Sequence, residues 1–128
     1  MRALYTLTAV TEVVTGSALI WRPSAIVALL LGAPLNTPAA VALGRVAGVA
    51  LFALGVACQL ARPDAQSRAA RGLVTAMALY NAGVVAILSA AGMRLRPVGV
   101  VLWPAVVLHT ALGVWCVACL RRKAVQDH

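Results

Sequence analysis

Acid is what this chain has least of. Of 128 residues only Glu12, Asp64 and Asp127 carry a carboxylate side chain, against eleven Lys and Arg. No paired carboxylates suited to acid/base hydrolysis, no phosphate-binding loop and no Ser/His/Asp arrangement can be found. Charged residues make up only 11% of the chain, where a soluble domain carries about a quarter. Hydrophobic residues reach 62%, and the mean hydropathy is +0.94. That leaves too little polar surface to cover a water-soluble globule. Aromatic residues stand at 5%, with three cysteines and two histidines. A net charge of +8 would suggest nucleic acid in a soluble protein. Here the basic residues bound apolar runs, so membrane topology explains them and no nucleic-acid partner is expected.

What the chain does have is continuous apolar sequence. A bilayer span needs about 20 such residues, and four segments qualify, roughly 3–21, 39–61, 69–91 and 98–120. Lipid tolerates helices or closed barrels, and these runs lack the alternation of barrel strands. The expected fold is all-α, a single integral membrane domain over residues 1–128 built as a four-transmembrane-helix bundle. Its first segment reads as a retained helix, because it is long, contains Glu12 and ends in IWRPS without an A-x-A site. Between the first two spans lies SAIVALLLG, residues 24–32. It is too short to cross and too apolar for a free loop, so a short interfacial or re-entrant helix is expected, with Ser24 capping its start and Gly32 its end.

With four spans, one side of the membrane holds Arg2, Arg62, Arg68, Arg71, Arg121, Arg122 and Lys123, and the other holds Arg22, Arg94 and Arg96. The positive-inside rule then places both termini in the cytoplasm, in what is expected to be a bacterial inner membrane. Trp21 and Trp115 fall near opposite helix ends, as interfacial anchors.

In the second span Gly44, Gly48 and Gly55 share one helical face. Small residues of this kind let helices approach closely in lipid, so the face reads as packing, with close approach to a ligand as the alternative. An internal repeat is also suggested. Arg2 to Glu12 and Arg71 to Asn81 span the same distance, and LGVAC ending at Cys58 echoes LGVWC ending at Cys116. Two such helix pairs would be related by an axis along the membrane normal.

Glu12 raises the functional question. At about 1.5 Å per residue it lies about 15 Å below Arg2, Asn81 lies about 15 Å below Arg71, and His109 about 18 Å from Arg121. Three polar side chains from three spans thus meet near the midplane, with Tyr80 beside Asn81. Arg45 is about 25 Å from Arg62, close enough for its long side chain to reach part of the gap. Tyr5, Thr8, Glu12 and Thr15 form a stripe on one face of the first span, and Arg45, Phe52 and Gln59 one on the second. Both stripes are expected to face the bundle interior, since polar groups turned to lipid are expensive. Glu12, Arg45, Tyr80, Asn81 and His109 are therefore the candidate ligand-binding or proton-handling group. The competing reading is a structural network, for which a neutral Gln would serve more cheaply than Glu.

Cys58, Cys116 and Cys119 gather near the cytoplasmic ends of their helices. A redox pair or soft-metal site is conceivable there, set against the plain use of cysteine as a small apolar filler. Haem would need a second axial ligand besides His109, since His128 lies at the tail, and so a homodimer or a partner subunit. Pro104 is expected to kink the fourth helix before His109.

Thr15-Gly16, Leu19, Pro23, Gly44-Arg45, Gly48, Leu51 and Leu54-Gly55 together resemble the DoxX-like group of small four-helix membrane proteins. The resemblance covers the first half of the chain. It implies a role as a membrane subunit of a quinone-linked oxidoreductase complex. TAVTEVVTGSAL also resembles the first helix of small multidrug-resistance transporters, which implies for Glu12 an exchange of protons against cationic drugs. Arg45, His109 and the sparse aromatics depart from that second pattern. Three functions therefore compete. One is a non-catalytic membrane subunit or small-molecule-binding protein, with a quinone or lipid as ligand and a partner subunit or homo-oligomer. Another is a proton-coupled transporter using Glu12. The last is an enzyme or electron carrier with haem or thiol chemistry.

Overall fold

The computed structural model describes residues 1–126, with side chains through Arg122. The side chain of Lys123 and the whole of His128 lie outside the described residues. Five helices follow one another: α1 (Arg2–Trp21), α2 (Pro23–Leu31), α3 (Pro38–Ala61), α4 (Arg68–Arg94) and α5 (Leu102–Gln126). All but α2 are long and apolar enough to cross a membrane. The architecture is the expected all-α bundle of four spans with a short helix after the first, the build of a small integral membrane protein.

Local chemistry sets the helix ends. Thr37 accepts a hydrogen bond from the Ala40 N–H and Pro38 opens α3, while Ser67 caps α4 through the Ala70 N–H. Gly32 closes α2 at φ 84°, in the left-handed region that glycine enters freely. Two expectations change. Ser24 does not cap α2: Pro23 occupies the first turn, and the Ser24 hydroxyl donates to the Leu35 carbonyl at 3.3 Å. α5 starts at Leu102, so Pro104 sits in its first turn. The missing N–H has no partner to lose at that position, and the expected mid-helix kink has no cause.

Packing divides the bundle into two antiparallel hairpins, α1 with α3 and α4 with α5. Glycine makes the first contact close. A Cβ at Gly16 would fall 2.6 Å from the Phe52 nitrogen, and one at Gly48 would fall 2.8 Å from the Gly16 oxygen. Gly55 faces Ala9 and Val13 of α1 in the same way. Arg45, Phe52 and Gln59 lie beside the glycines at the edge of this seam, the Phe52 backbone against Gly16, and all three are exposed. The buried polar face expected for the second span is therefore an exposed one. The LGVAC and LGVWC segments each put a glycine against the neighbouring helix of their hairpin and a cysteine in the core. Gly55 backs onto α1 and Gly113 onto Asn81 of α4, while Cys58 and Cys116 are buried in the same apolar cluster.

Contacts between the hairpins are sparse. At the end where α1 and α4 begin, Leu4, Val74, Met77 and Leu112 join the cysteines in that cluster, and the Tyr5 hydroxyl donates to the Ala70 carbonyl at 2.6 Å. At the other end the Val101 N–H donates to the Leu29 carbonyl, tying α2 to the start of α5. Tyr5→Phe removes one of these few ties. It is expected to lower stability by about 1 kcal/mol, read as an earlier midpoint in detergent-driven unfolding.

Candidate functional site: a polar cluster beside an apolar cavity

The stripe on α1 turns inward as its spacing requires. Tyr5, Thr8 and Glu12 are fully buried, with Glu12 1% exposed, and Thr15 is half-buried. The Tyr80 hydroxyl of α4 donates to Glu12 Oε2 at 3.3 Å. The Tyr80 ring meets the His109 imidazole of α5 edge-on, centroids 5.6 Å apart and planes at 80°. His109 Nδ1 lies 2.7 Å from Asn81 Oδ1, and Asn81 Nδ2 donates to the Met77 carbonyl at 2.7 Å. The four residues expected from α1, α4 and α5 thus form one continuous chain of contacts. Arg45 does not join it. It is exposed on α3 and has no hydrogen bond or ion pair among the described residues.

One feature of the cluster is unbalanced. Glu12 Oε1 and Thr8 Oγ1 are buried without a hydrogen-bond partner among the described residues. Leaving such an atom unmet costs about 1–3 kcal/mol, and more for a charged group. Glu12 also forms part of the wall of a cavity of about 570 Å³ between the two hairpins. Thr11, Thr15 and Leu19 line it from α1, Leu51 from α3, Val84 from α4, and Leu108 from α5. Ile26 and Leu30 of α2 line it as well. Apart from the two threonines, its polar patch is Glu12, Tyr80 and His109. The volume and the apolar wall with a few convergent polar groups are those of a small-molecule site. Gly44 borders this cavity, whereas Gly48 and Gly55 serve the α1–α3 contact.

A second depression of about 470 Å³ runs along α4 and α5, bordered by Asn81, Ala82, His109, Gly113, Val117 and Arg121. Glu12 and Tyr80 do not reach it. His109 is the residue common to both.

The cysteines lie apart from both cavities. Cys58 and Cys116 are fully buried and Cys119 is half-buried, all as free thiols. Cys58 Sγ rests 3.4 Å from Met77 Sδ, in the surroundings of an apolar filler. Among the described residues no group of three or more His, Cys, Asp or Glu side chains is placed to hold a metal ion.

Sequence reasoning missed two contributors. Gly16 fits against Gly48 and Phe52, but a single glycine in an apolar span signals little until the facing helix is known. The part α2 plays in lining the cavity was equally hidden, because nothing in SAIVALLLG says which surface it covers. In comparisons with known proteins, no family model, curated protein or solved structure matches the chain.

Proposed function

We propose that this protein binds a small lipophilic molecule, a lipid or a quinone-like compound, in the cavity between its hairpins, as a non-catalytic membrane subunit or binding protein. The carrying observation is Glu12, whose carboxyl group keeps a buried oxygen without a partner and which shares the wall of a largely apolar cavity with Tyr80 and His109. An acceptor at this depth is expensive when left empty and is matched when a ligand brings a hydroxyl to it, as a lipid or the quinol form of a quinone-like compound does. The DoxX-like resemblance of the first half points the same way, to a subunit of a quinone-linked assembly in a bacterial inner membrane. The seven basic residues on the side of both termini favour a cytoplasmic orientation. Native mass spectrometry of the protein, extracted gently from its own membranes, tests the reading. A bound small molecule or a stoichiometric partner supports it, and a bare chain opposes it.

A second reading is a proton-coupled transporter. It is favoured by the line of contacts from Glu12 through Tyr80 and His109 to Asn81, which leads from one cavity to the other depression. It requires substrate-dependent proton flux in vesicles that Glu12→Gln abolishes.

A further inference from the structure

The cluster also defines which partner atoms a ligand must bring. The Met77 carbonyl can only accept a hydrogen bond, so the amide nitrogen of Asn81 faces it at 2.7 Å. The amide oxygen of Asn81 is thereby turned to His109 Nδ1, also at 2.7 Å. An amide oxygen only accepts, so Nδ1 carries the hydrogen. A neutral imidazole has one such hydrogen, and its Nε2 is then a bare lone pair. The carboxylate of Glu12 is bonded to Tyr80 rather than to His109, so no anion on the ring holds a second proton there. His109 lines the inter-hairpin cavity and Asn81 does not, so the ring edge turned from Asn81, with Nε2, is the edge toward the cavity.

Tyr80, His109 and Asn81 each give a donor within the cluster. The Tyr80 hydroxyl is given to Glu12, Nδ1–H to Asn81, and the Asn81 amide to Met77. What remains without a donor is a pair of acceptors, His109 Nε2 on the cavity edge and the buried Glu12 Oε1 behind it. The hydroxyls of Thr11 and Thr15 both donate and accept, so they discriminate neither way. A ligand carbonyl or ether would face Nε2 lone pair to lone pair. A hydroxyl satisfies Nε2 as a donor, and it suits Glu12 whether or not the carboxyl group carries a proton.

We propose that Asn81 is a positioning residue that holds His109 as its Nδ1–H tautomer, and that the cavity consequently selects lipophilic hydroxyl compounds, alcohols, phenols or quinols, over the matching ethers and carbonyls. This inference rests on the cavity being a ligand site. The test uses the full chain in lipid nanodiscs with two redox-stable probes of nearly equal shape, 4-heptylphenol and 4-heptylanisole. The phenol is expected to bind about tenfold tighter, the effect of one hydrogen bond made rather than opposed. Nitrogen-15 spectra of histidine-labelled protein, assigned with His128→Gln, are expected to show a protonated Nδ1 and a bare Nε2 on His109. Asn81→Leu should release the ring to the Nε2–H form and erase the preference for the phenol. Equal binding of the two probes, or an Nε2–H ring in the wild-type chain, overturns the inference while the cavity stands as a site. If neither probe binds, the site reading falls and takes the inference with it. Probe binding and tautomer are both read on the wild-type chain, so the decision does not depend on the variant folding.

Discussion

Glu12→Gln is expected to cut affinity for the proposed lipophilic ligand by about 10- to 100-fold, the loss of a hydrogen bond to a charged group, while the bundle stays folded. The two side chains match in size and shape. Gln keeps an oxygen for the Tyr80 hydroxyl, so the 3.3 Å contact between α1 and α4 survives. What changes is the second head atom. The unpartnered Oε1 becomes an amide nitrogen, which donates and cannot accept. A neutral amide is also cheaper than a carboxylate in hydrocarbon. Stability of the empty protein should therefore hold or rise as binding falls, and opposite movements of two readouts are hard to produce by misfolding. Titration calorimetry in nanodiscs and detergent-driven unfolding, run on the same preparations, give both. Unchanged affinity in the variant would reduce Glu12 to a strut between helices.

A large effect on folding is expected at Gly16. Valine there would place its Cβ 2.6 Å from the Phe52 nitrogen and 2.7 Å from the Gly48 oxygen. Both obstacles are backbone, so no side chain can rotate out of the way and the helices themselves must part. A cost of about 3 kcal/mol or more follows from overpacking of this kind, and close helix contact is the main source of association energy in lipid. The Gly16→Val and Gly48→Val chains should each be lost from the monodisperse fraction after extraction. Gly72→Ala and Gly83→Ala provide the contrast, since nothing lies within 4 Å of a Cβ at either position. Those two should be neutral, or stabilising by up to about 1 kcal/mol through helix propensity. Normal yield of Gly16→Val would mean that α1 and α3 meet along some other seam.

The class of fold was legible because lipid imposes few solutions. Long apolar runs bounded by Arg, Pro and Asn leave little choice but spanning helices, and the observed bounds differ from the expected ones by a few residues. The midplane cluster was legible for a related reason. Rise per residue converts sequence position to depth, and Glu12, Asn81 and His109 came out level before any packing was known. Depth says nothing about rotation, and Arg45 shows the consequence. Its long side chain could reach part of the gap, but the glycines of α3 claim the contact with α1 and the arginine beside them is left exposed. Pro104 was misjudged for another reason: the true start of α5 depends on the chain between Leu95 and Val101, where backbone pairing with α2 decides the boundary. The cavity could not be read at all, since it arises from surfaces that fail to meet.

That failure to meet has a consequence for how the protein is made and kept. Each hairpin closes on itself through glycine and apolar contacts, and the two halves are joined mainly at their ends. A molecule lodged between them touches α1, α3, α4 and α5 at once, bridging halves that scarcely touch each other. Occupancy then becomes a component of quaternary-like assembly within one chain. At a hundredfold excess over its dissociation constant, such a molecule adds about 2.7 kcal/mol to the joined state, comparable to several interhelical hydrogen bonds. Supply of the ligand would in this way set how much of the protein survives membrane quality control.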